Sequence, residues 1–437
     1  MKAIPAPAWH NWAGNERTRP HSVVRPGSVG EVVAAVRSAR EHGLRVKAVG
    51  AGHSFSAIAA GDGVLLDLSA LNGVLDVEAA TGRVRLGAGT HLHQVPALLS
   101  PHGLALENMG DIDRQTLAGA TSTGTHGTGA TFRGLAAQLT AATLVTATGE
   151  VLEVSATRNA ELLPAVRLGL GALGVLVDVT VQCVPAFLLR AHESSASLDD
   201  VLNHLDDHAS ADHFECYWWP GTATVQTKTN TRLPIGIPHT APGRIERFVD
   251  QRLVQNGALW LACEVAHRAP RLTSPLNRTA TKVLGEKVFT DSSAAVFTSP
   301  RHVRFRECEY AVPREALPDA VRALRALIAR NGWRIGFPVE IRLAAADDLW
   351  LSTASGRDSG YIAVHRYWRD DHEPYFRAVD ALMREFAGRP HWGKIHYQDA
   401  ASLAEVYPHL GDFAEVRDRL DPDRVFGNTY LRLVLGS

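Results

Sequence analysis

"VGAGHSFS", Val49 to Ser56, is a glycine-rich turn that closes on a histidine and two serines. Gly50 and Gly52 let the backbone bend tightly and turn N–H groups toward an anion. His53 sets an imidazole where that backbone would come nearest to a ligand. Upstream, "LRVKAV" (Leu44 to Val49) reads as a strand that feeds the turn. Before it, Ser28-x-x-Glu31 is a capping box, and Val32, Val33, Val36 and Ala39 recur at helical spacing until Gly43 stops the helix. A nicotinamide-dinucleotide fingerprint would need a third glycine where Phe55 stands, and a P-loop would need Gly-Lys followed by Ser or Thr. Both are missing, which disfavours a nicotinamide dehydrogenase. Taken alone, the turn is equally a tight bend around a satisfied histidine.

It does not stand alone. "GATSTGTHGTG", Gly119 to Gly129, alternates small residues, hydroxyls and glycines around His126. Such a stretch approaches a pyrophosphate closely and donates many hydrogen bonds, although it also suits a tight core turn. Two separated phosphate-type loops favour a large dinucleotide such as FAD over a mononucleotide. Between and after them the pattern predicts a strand at Val64, a hairpin over Val74 to Gly89 turning at Thr81-Gly82, and a proline-bent helix in "HQVPALLSPHG". A second hairpin turns at Thr148-Gly149, and "LGALGVLVDVTVQCVP" ends this part in a buried strand.

From about Ala186 the texture changes. Aromatics and prolines enter ("HFECYWWPG"), and helical text such as "REALPDAVRALRALIARNG" alternates with strands such as "FPVEIRLA". The expected organisation is residues 1–185 as a cofactor-binding domain, 186–385 as a substrate or cap domain, and 386–437 returning to the first. In "VEIR", Glu340 and Arg342 share one face of a strand, where a carboxylate and a guanidinium can orient a hydroxyl or carbonyl. An isolated pair of this kind is more often a surface ion pair. His365, placed after a strand in "YIAVHRYW", and Lys394 in "HWGK" read by themselves as a structural histidine and a solvated lysine.

The 437 residues leave room for more than one core, with 45% hydrophobic and 21% charged positions. A formal net charge of −1 points to no nucleic-acid or membrane surface. Cys183, Cys216, Cys263 and Cys308 are widely spaced, as expected of free thiols in a reducing compartment. The N-terminal text lacks an apolar signal core, and the most apolar stretch, Leu168 to Val184, is broken by Asp178. A soluble cytoplasmic protein is the expectation. His91, His93 and His102 raise zinc, but no acid or thiol at ligand spacing completes a site, so no metal is expected.

In order, "GAGHSF", "RLGLGALGV", "RPHWGK" and "LDPDRVF" resemble the vanillyl-alcohol-oxidase type of flavoprotein. More narrowly, they resemble the aldonolactone oxidoreductases that act on L-gulono-1,4-lactone or D-arabinono-1,4-lactone, with alditol oxidase as a cousin. The resemblance runs from "NWAGN" at Asn11 to "NTYLRLVLG". It implies an α+β, two-domain FAD-binding fold of the PCMH type with a substrate (cap) domain. By that resemblance FAD lies against Ala48, Val49, Gly50, Ala51, Gly52, His53, Ser54, Gly110, Asp111, Thr116, Gly119, Ser122, Thr123, Gly124, His126, Gly174 and Val175. His53 would carry the flavin covalently through a ring nitrogen. Glu340 and Arg342 would bind the sugar hydroxyls, His365 would accept the hydroxyl proton, and Lys394 would place positive charge at the flavin N1/C2=O edge. A sugar lactone or polyol is the implied substrate, and O2 or another acceptor removes the electrons. Where the alditol enzyme has Ala-Ser and Thr, this chain has Gly110-Asp111 and Tyr367, which favours the lactone over the polyol.

Overall fold

The computed structural model describes residues 8–243, 256–283 and 285–436. The opening helix is Val29–Glu41, and its cap differs from the expected box in one detail. Ser28 accepts from the Glu31 N–H, but the Glu31 carboxylate accepts from Gly27 rather than from Ser28. Gly43 ends the helix at φ +65°. Strands Ser22–Val24, Val64–Asp67 and Val46–Val49 then form a three-stranded parallel sheet with Val64–Asp67 in the middle. The glycine turn leaves the carboxyl end of Val46–Val49, the usual ligand-facing end of a parallel strand.

Beside it lies a five-stranded antiparallel sheet in the order Val151–Ser155, Leu139–Val145, Val175–Gln182, Arg83–Gly87, Val74–Glu78. Both expected hairpins are in it. Their turns hold Gly82 at φ +71° and Gly149 at φ +76°. The proline-bent helix is instead three short pieces, Leu92–Gln94, Val95–Leu99 and Ser100–His102. Pro96 and Pro101 each fall in the first turn of a new piece, where a missing N–H costs nothing, so they restart the helix rather than bend it.

The second half is built on an eight-stranded antiparallel sheet. Its order is Lys287–Ser292, Phe187–Ser197, Thr224–Pro234, His213–Trp218, Val339–Ala344, Ser359–Tyr367, Phe305–Pro313, Arg389–Pro390. Period-two alternation divides its central strands cleanly. Phe214, Cys216, Trp218, Val339, Ile341, Leu343, Ile362, Val364, Cys308 and Tyr310 point to one face. There they join the apolar sides of helices Leu317–Arg330 and Glu373–Glu385 in one core. Glu215, Glu340, Arg342, His365, Glu307 and Glu309 alternate with them and point to the other face. His365 therefore lies within a strand, not after one.

The last segment first adds Arg389–Pro390 to the edge of that sheet, then crosses to the first half. Ser56 Oγ donates to the Trp392 carbonyl (2.7 Å), and the Phe55 N–H donates to the Gly393 carbonyl (2.6 Å). The Val46 N–H donates to the Val425 carbonyl (2.7 Å), closing the segment against the parallel sheet. Among the described residues no helix is long and apolar enough to cross a membrane.

Candidate active site

Two cavities meet at His53. The first is a cleft of about 1050 Å³ between the glycine turn and the strands of both small sheets. Of the residues expected at a cofactor, Ala48, Val49, Gly50, Ala51, Gly52, His53, Ser54, Thr116, Gly119, Ser122, Thr123 and Gly174 line it. Three of the glycines are there for room. A Cβ on Gly50 would fall 2.3 Å from Thr116 Oγ1, one on Gly119 2.8 Å from the same atom, and one on Gly174 2.6 Å from Leu144 Cδ1. Thr116 is also the N-cap of Leu117–Thr123, accepting from the Gly119 N–H.

Two expected cofactor residues line neither cavity. Gly124 is the left-handed C-cap of that helix at φ +83°, and Val175 is buried in the core under the sheet. Their sequence signal came from a cap and a core strand. Sequence reasoning also missed Lys47, which lines the first cavity and donates to the carbonyls of Gly171 (3.3 Å) and Phe426 (3.2 Å). Burial, with Arg417 nearby, pushes its ammonium down to about 7.

His53 stacks on Trp12 with ring centroids 5.7 Å apart. Its Nδ1 is buried and makes no aligned hydrogen bond, and burial, only partly opposed by the nearby Ala51 carbonyl, pulls the imidazole below its ordinary pKa. A buried ring nitrogen with no aligned hydrogen bond, beside a glycine cradle, fits a flavin tether.

The second cavity, about 500 Å³, is walled by His53, Gly110, Asp111, His126, Glu309, Arg342, His391 and Lys394, among others. Gly110 does not have a positive φ; its constraint is crowding, since a Cβ would meet the His126 carbonyl oxygen and Thr125 Cγ2 at 3.1 Å each. Asp111 holds Arg301 at 2.7 Å and Arg342 at 3.7 Å, and these cations keep its carboxyl well below the usual range despite burial. Arg342 also bonds Glu215 at 2.9 Å, its cross-strand neighbour, and touches Glu340. That last contact is a close ion pair. Burial raises the Glu340 carboxyl, Arg342 opposes it, and Asp111 and Glu215 add to the rise.

Glu340 and His365 stand just behind the cavity lining, not in it. His365 donates through Nδ1 to the Pro338 carbonyl (3.0 Å), and its Nε2 lies 3.6 Å from Glu307 Oε1. Burial disfavours its charged form, but Glu307, Glu340 and that carbonyl outweigh burial and raise its pKa. Lys394 Nζ lies 2.5 Å from Glu307 Oε2, 3.7 Å from Glu309 Oε2 and 5.3 Å above the Phe55 ring. Burial works against this ammonium as well, and the two carboxylates more than offset it. His126 Nε2 lies 3.0 Å from Glu309 Oε1 and its Nδ1 2.8 Å from the Gly127 carbonyl, and the ring stacks on Tyr361.

The sequence reading passed over Glu307, Glu309, Glu215 and Arg301. "RECEY" carries the same period-two signal as "VEIR", and that signal could have found the first two.

Of the histidines weighed above for zinc, His91 and His93 lie with ring centroids 5.3 Å apart, but His91 donates to the Arg114 carbonyl and His102 sits on a separate turn. His126, Glu309 and His391 do offer ligand atoms within 4.8 Å of one another. Gly393 N–H donates to His391 Nδ1 (3.0 Å), which leaves the proton of the neutral ring on Nε2, and Lys394 stands beside Glu309. The trio is arranged for hydrogen bonding.

Residues 179–434 match the D-arabinono-1,4-lactone oxidase family, and residues 20–155 match an FAD binding domain. The chain is 45% identical to an L-gulono-1,4-lactone dehydrogenase of Mycobacterium tuberculosis over 99% of this chain and 100% of that one. It is 34% identical to the L-gulonolactone oxidase of Mus musculus, covering 98% of each. An alditol oxidase of Streptomyces sp. is 33% identical over 97% of this chain and 98% of its own. A cholesterol oxidase from B. sterolicum superimposes with a TM-score of 0.81 at 16% identity, covering 98% of this chain and 96% of that one, which speaks to the fold alone. The chain belongs to the D-arabinono-1,4-lactone oxidase family and is an FAD-dependent oxidoreductase with an α+β, two-domain fold.

Proposed function

We propose that this protein oxidises an aldono-1,4-lactone of the L-gulono or D-arabinono type, with FAD tethered through His53. The observation that carries the reading is His53: shared by both cavities, half-buried, with its buried Nδ1 in no aligned hydrogen bond. The substrate class is supported by the named activities of its relatives, with the alditol enzyme the more distant at 33% identity. When bound, FAD supplies the hydride acceptor.

The chain's own residues do the rest. Arg342, fixed by Glu215 and Asp111, presents its guanidinium to the lactone oxygens. Glu340, held against Arg342, orients a substrate hydroxyl. His365, backed by Glu307, takes the hydroxyl proton, and Lys394 holds positive charge at the far wall. Residues 1–185 hold the cofactor, 186–385 present the charged sheet face, and 386–437 bind the two together. O2 or another acceptor then reoxidises the cofactor. Four free, buried cysteines support a reducing, cytoplasmic setting.

Acid precipitation tests the tether: flavin fluorescence stays with the wild-type polypeptide and leaves with His53→Ala. Free flavin from the wild type removes the tether. Anaerobic bleaching of the bound flavin by L-gulono-1,4-lactone but not by xylitol tests the substrate, and the reverse preference makes the enzyme an alditol oxidase.

A further inference from the structure

Glu307 sits at a crossing between His365 and Lys394. It pairs directly across the sheet with His365 in the backbone register. One carboxylate oxygen faces His365 Nε2 at 3.6 Å, and the other faces Lys394 Nζ at 2.5 Å. Glu309, two residues on and on the same face, repeats the pattern between Lys394 (3.7 Å) and His126 (3.0 Å). The result is an alternating buried row: His365, Glu307, Lys394, Glu309, His126. Both carboxylate side chains in it are about 5% exposed.

We propose that Glu307 is a positioning residue that sets His365 and Lys394 together, fixing how firmly the proton-accepting ring holds its proton and where the active-site ammonium stands. The proposal rests on the reading of His365 as proton acceptor. The ring has few other influences. Across the sheet it meets Glu307 and, more distantly, Glu340, with Lys394 beyond Glu307. On its remaining sides it meets the Pro338 carbonyl and the rings of Phe305 and Phe337, with Cys263, Tyr367 and Trp12 in the same apolar cluster. Glu307 is thus the nearest anion and the one shared with the lysine.

An opposite charge this close favours the protonated ring, and its removal lowers the pKa by on the order of one to three units. His365 must be neutral to accept a proton, so activity rises with pH through its pKa, and Glu307→Gln moves that acid limb to lower pH. The test is the pH profile of kcat/KM on L-gulono-1,4-lactone for wild type, Glu307→Gln, Glu307→Asp, Glu309→Gln and His365→Gln. The His365 ring is titrated in parallel by NMR of histidine-labelled enzyme, its signal identified by its loss in His365→Gln. The expected result has four parts: the limb vanishes in His365→Gln, shifts down by at least one unit in Glu307→Gln, returns toward its wild-type position in Glu307→Asp, and stays in place in Glu309→Gln. The His365 titration in Glu307→Gln follows the limb.

If the limb persists in His365→Gln, the proton-acceptor reading fails, and the NMR titration alone decides what Glu307 does to the ring. If both limb and titration are unmoved in Glu307→Gln, the proposal is overturned even with that reading intact. Should Glu307→Gln fold poorly, Glu307→Leu, which removes the charge and keeps a side chain of similar size, takes its place, and an unchanged limb and titration there overturns the proposal equally.

Discussion

Gly110 shows how much one missing methyl group can decide. It lies in the wall of the second cavity, beside His126 and across from Arg342 and Lys394. We propose that it lies on the route by which O2 reaches the flavin, a route that its missing Cβ leaves open. A Cβ there would also crowd the His126 carbonyl and Thr125 Cγ2 at 3.1 Å, so Gly110→Ala narrows the path and strains the 125–126 backbone together. The variant is expected to keep its FAD, to lose about 1–3 kcal/mol of stability from overpacking, and to reoxidise markedly more slowly with O2. Stopped-flow mixing of photoreduced enzyme with O2, beside a urea melt, separates the two effects. A destabilised variant that reoxidises at the wild-type rate places the gate elsewhere. If the wild type itself is slow with O2, the enzyme is better described as a dehydrogenase, the activity named for its mycobacterial relative.

The elements show which signals a sequence can carry. The turn around Gly50, Gly52 and His53 was legible because its chemistry is local: adjacent residues make the cradle and supply the imidazole. Glu340 and Arg342 were legible because period two puts them on one face of a single strand. Glu307, Glu215 and Arg301 were not, because their meaning lies in register with strands far away: Glu307 opposite His365, Glu215 opposite Arg342, Arg301 against Asp111. Gly124 and Val175 line neither cavity, and a helix cap and a core strand use the same residue types as a cofactor loop.

Asn428 belongs with the hidden group. Its Nδ2 donates to the carbonyls of Ala57, Ile58 and Ala60 at 2.8–3.0 Å, and its Oδ1 accepts from Leu431 N–H, capping Thr429–Leu435. Asn428→Ala loses the cap, about 1 kcal/mol, and leaves buried carbonyls unmet, about 1–3 kcal/mol more. Asn428→Asp keeps the capping oxygen and loses the donors. Urea melts are expected to show both variants destabilised, and an aspartate variant as stable as wild type means the carbonyl contacts contribute nothing.

At the scale of the whole molecule, the two halves face each other across buried charge. Asp111, from the first half, reaches Arg301 and Arg342 of the second, and Lys394, on the returning segment, reaches Glu307 and Glu309 of the large sheet. Burial alone would raise every one of these carboxyls. Their cationic partners instead hold Asp111, Glu215, Glu307 and Glu309 below the ordinary range, while Glu340 is left above it. The sign follows from linkage. A carboxyl depressed in the folded state contributes stability that is complete above its unfolded pKa, about 4, and is lost as pH falls toward its folded value. Glu340 acts in the opposite sense, gaining its proton first in the folded state. The joint between the halves should therefore weaken below about pH 4, with the unfolded chain holding more protons than the native one. Asp111→Asn removes one such group. Urea melts at a series of acid pH values are expected to give the variant lower stability at pH 7, because Arg301 and Arg342 lose a partner. They are also expected to give it a shallower fall below pH 4, by up to about 1.4 kcal/mol per pH unit for the one proton no longer taken up. Parallel slopes in the two proteins would mean that the acid sensitivity of the joint resides in the Glu307 and Glu309 row, and that Asp111 links the halves by geometry rather than by charge.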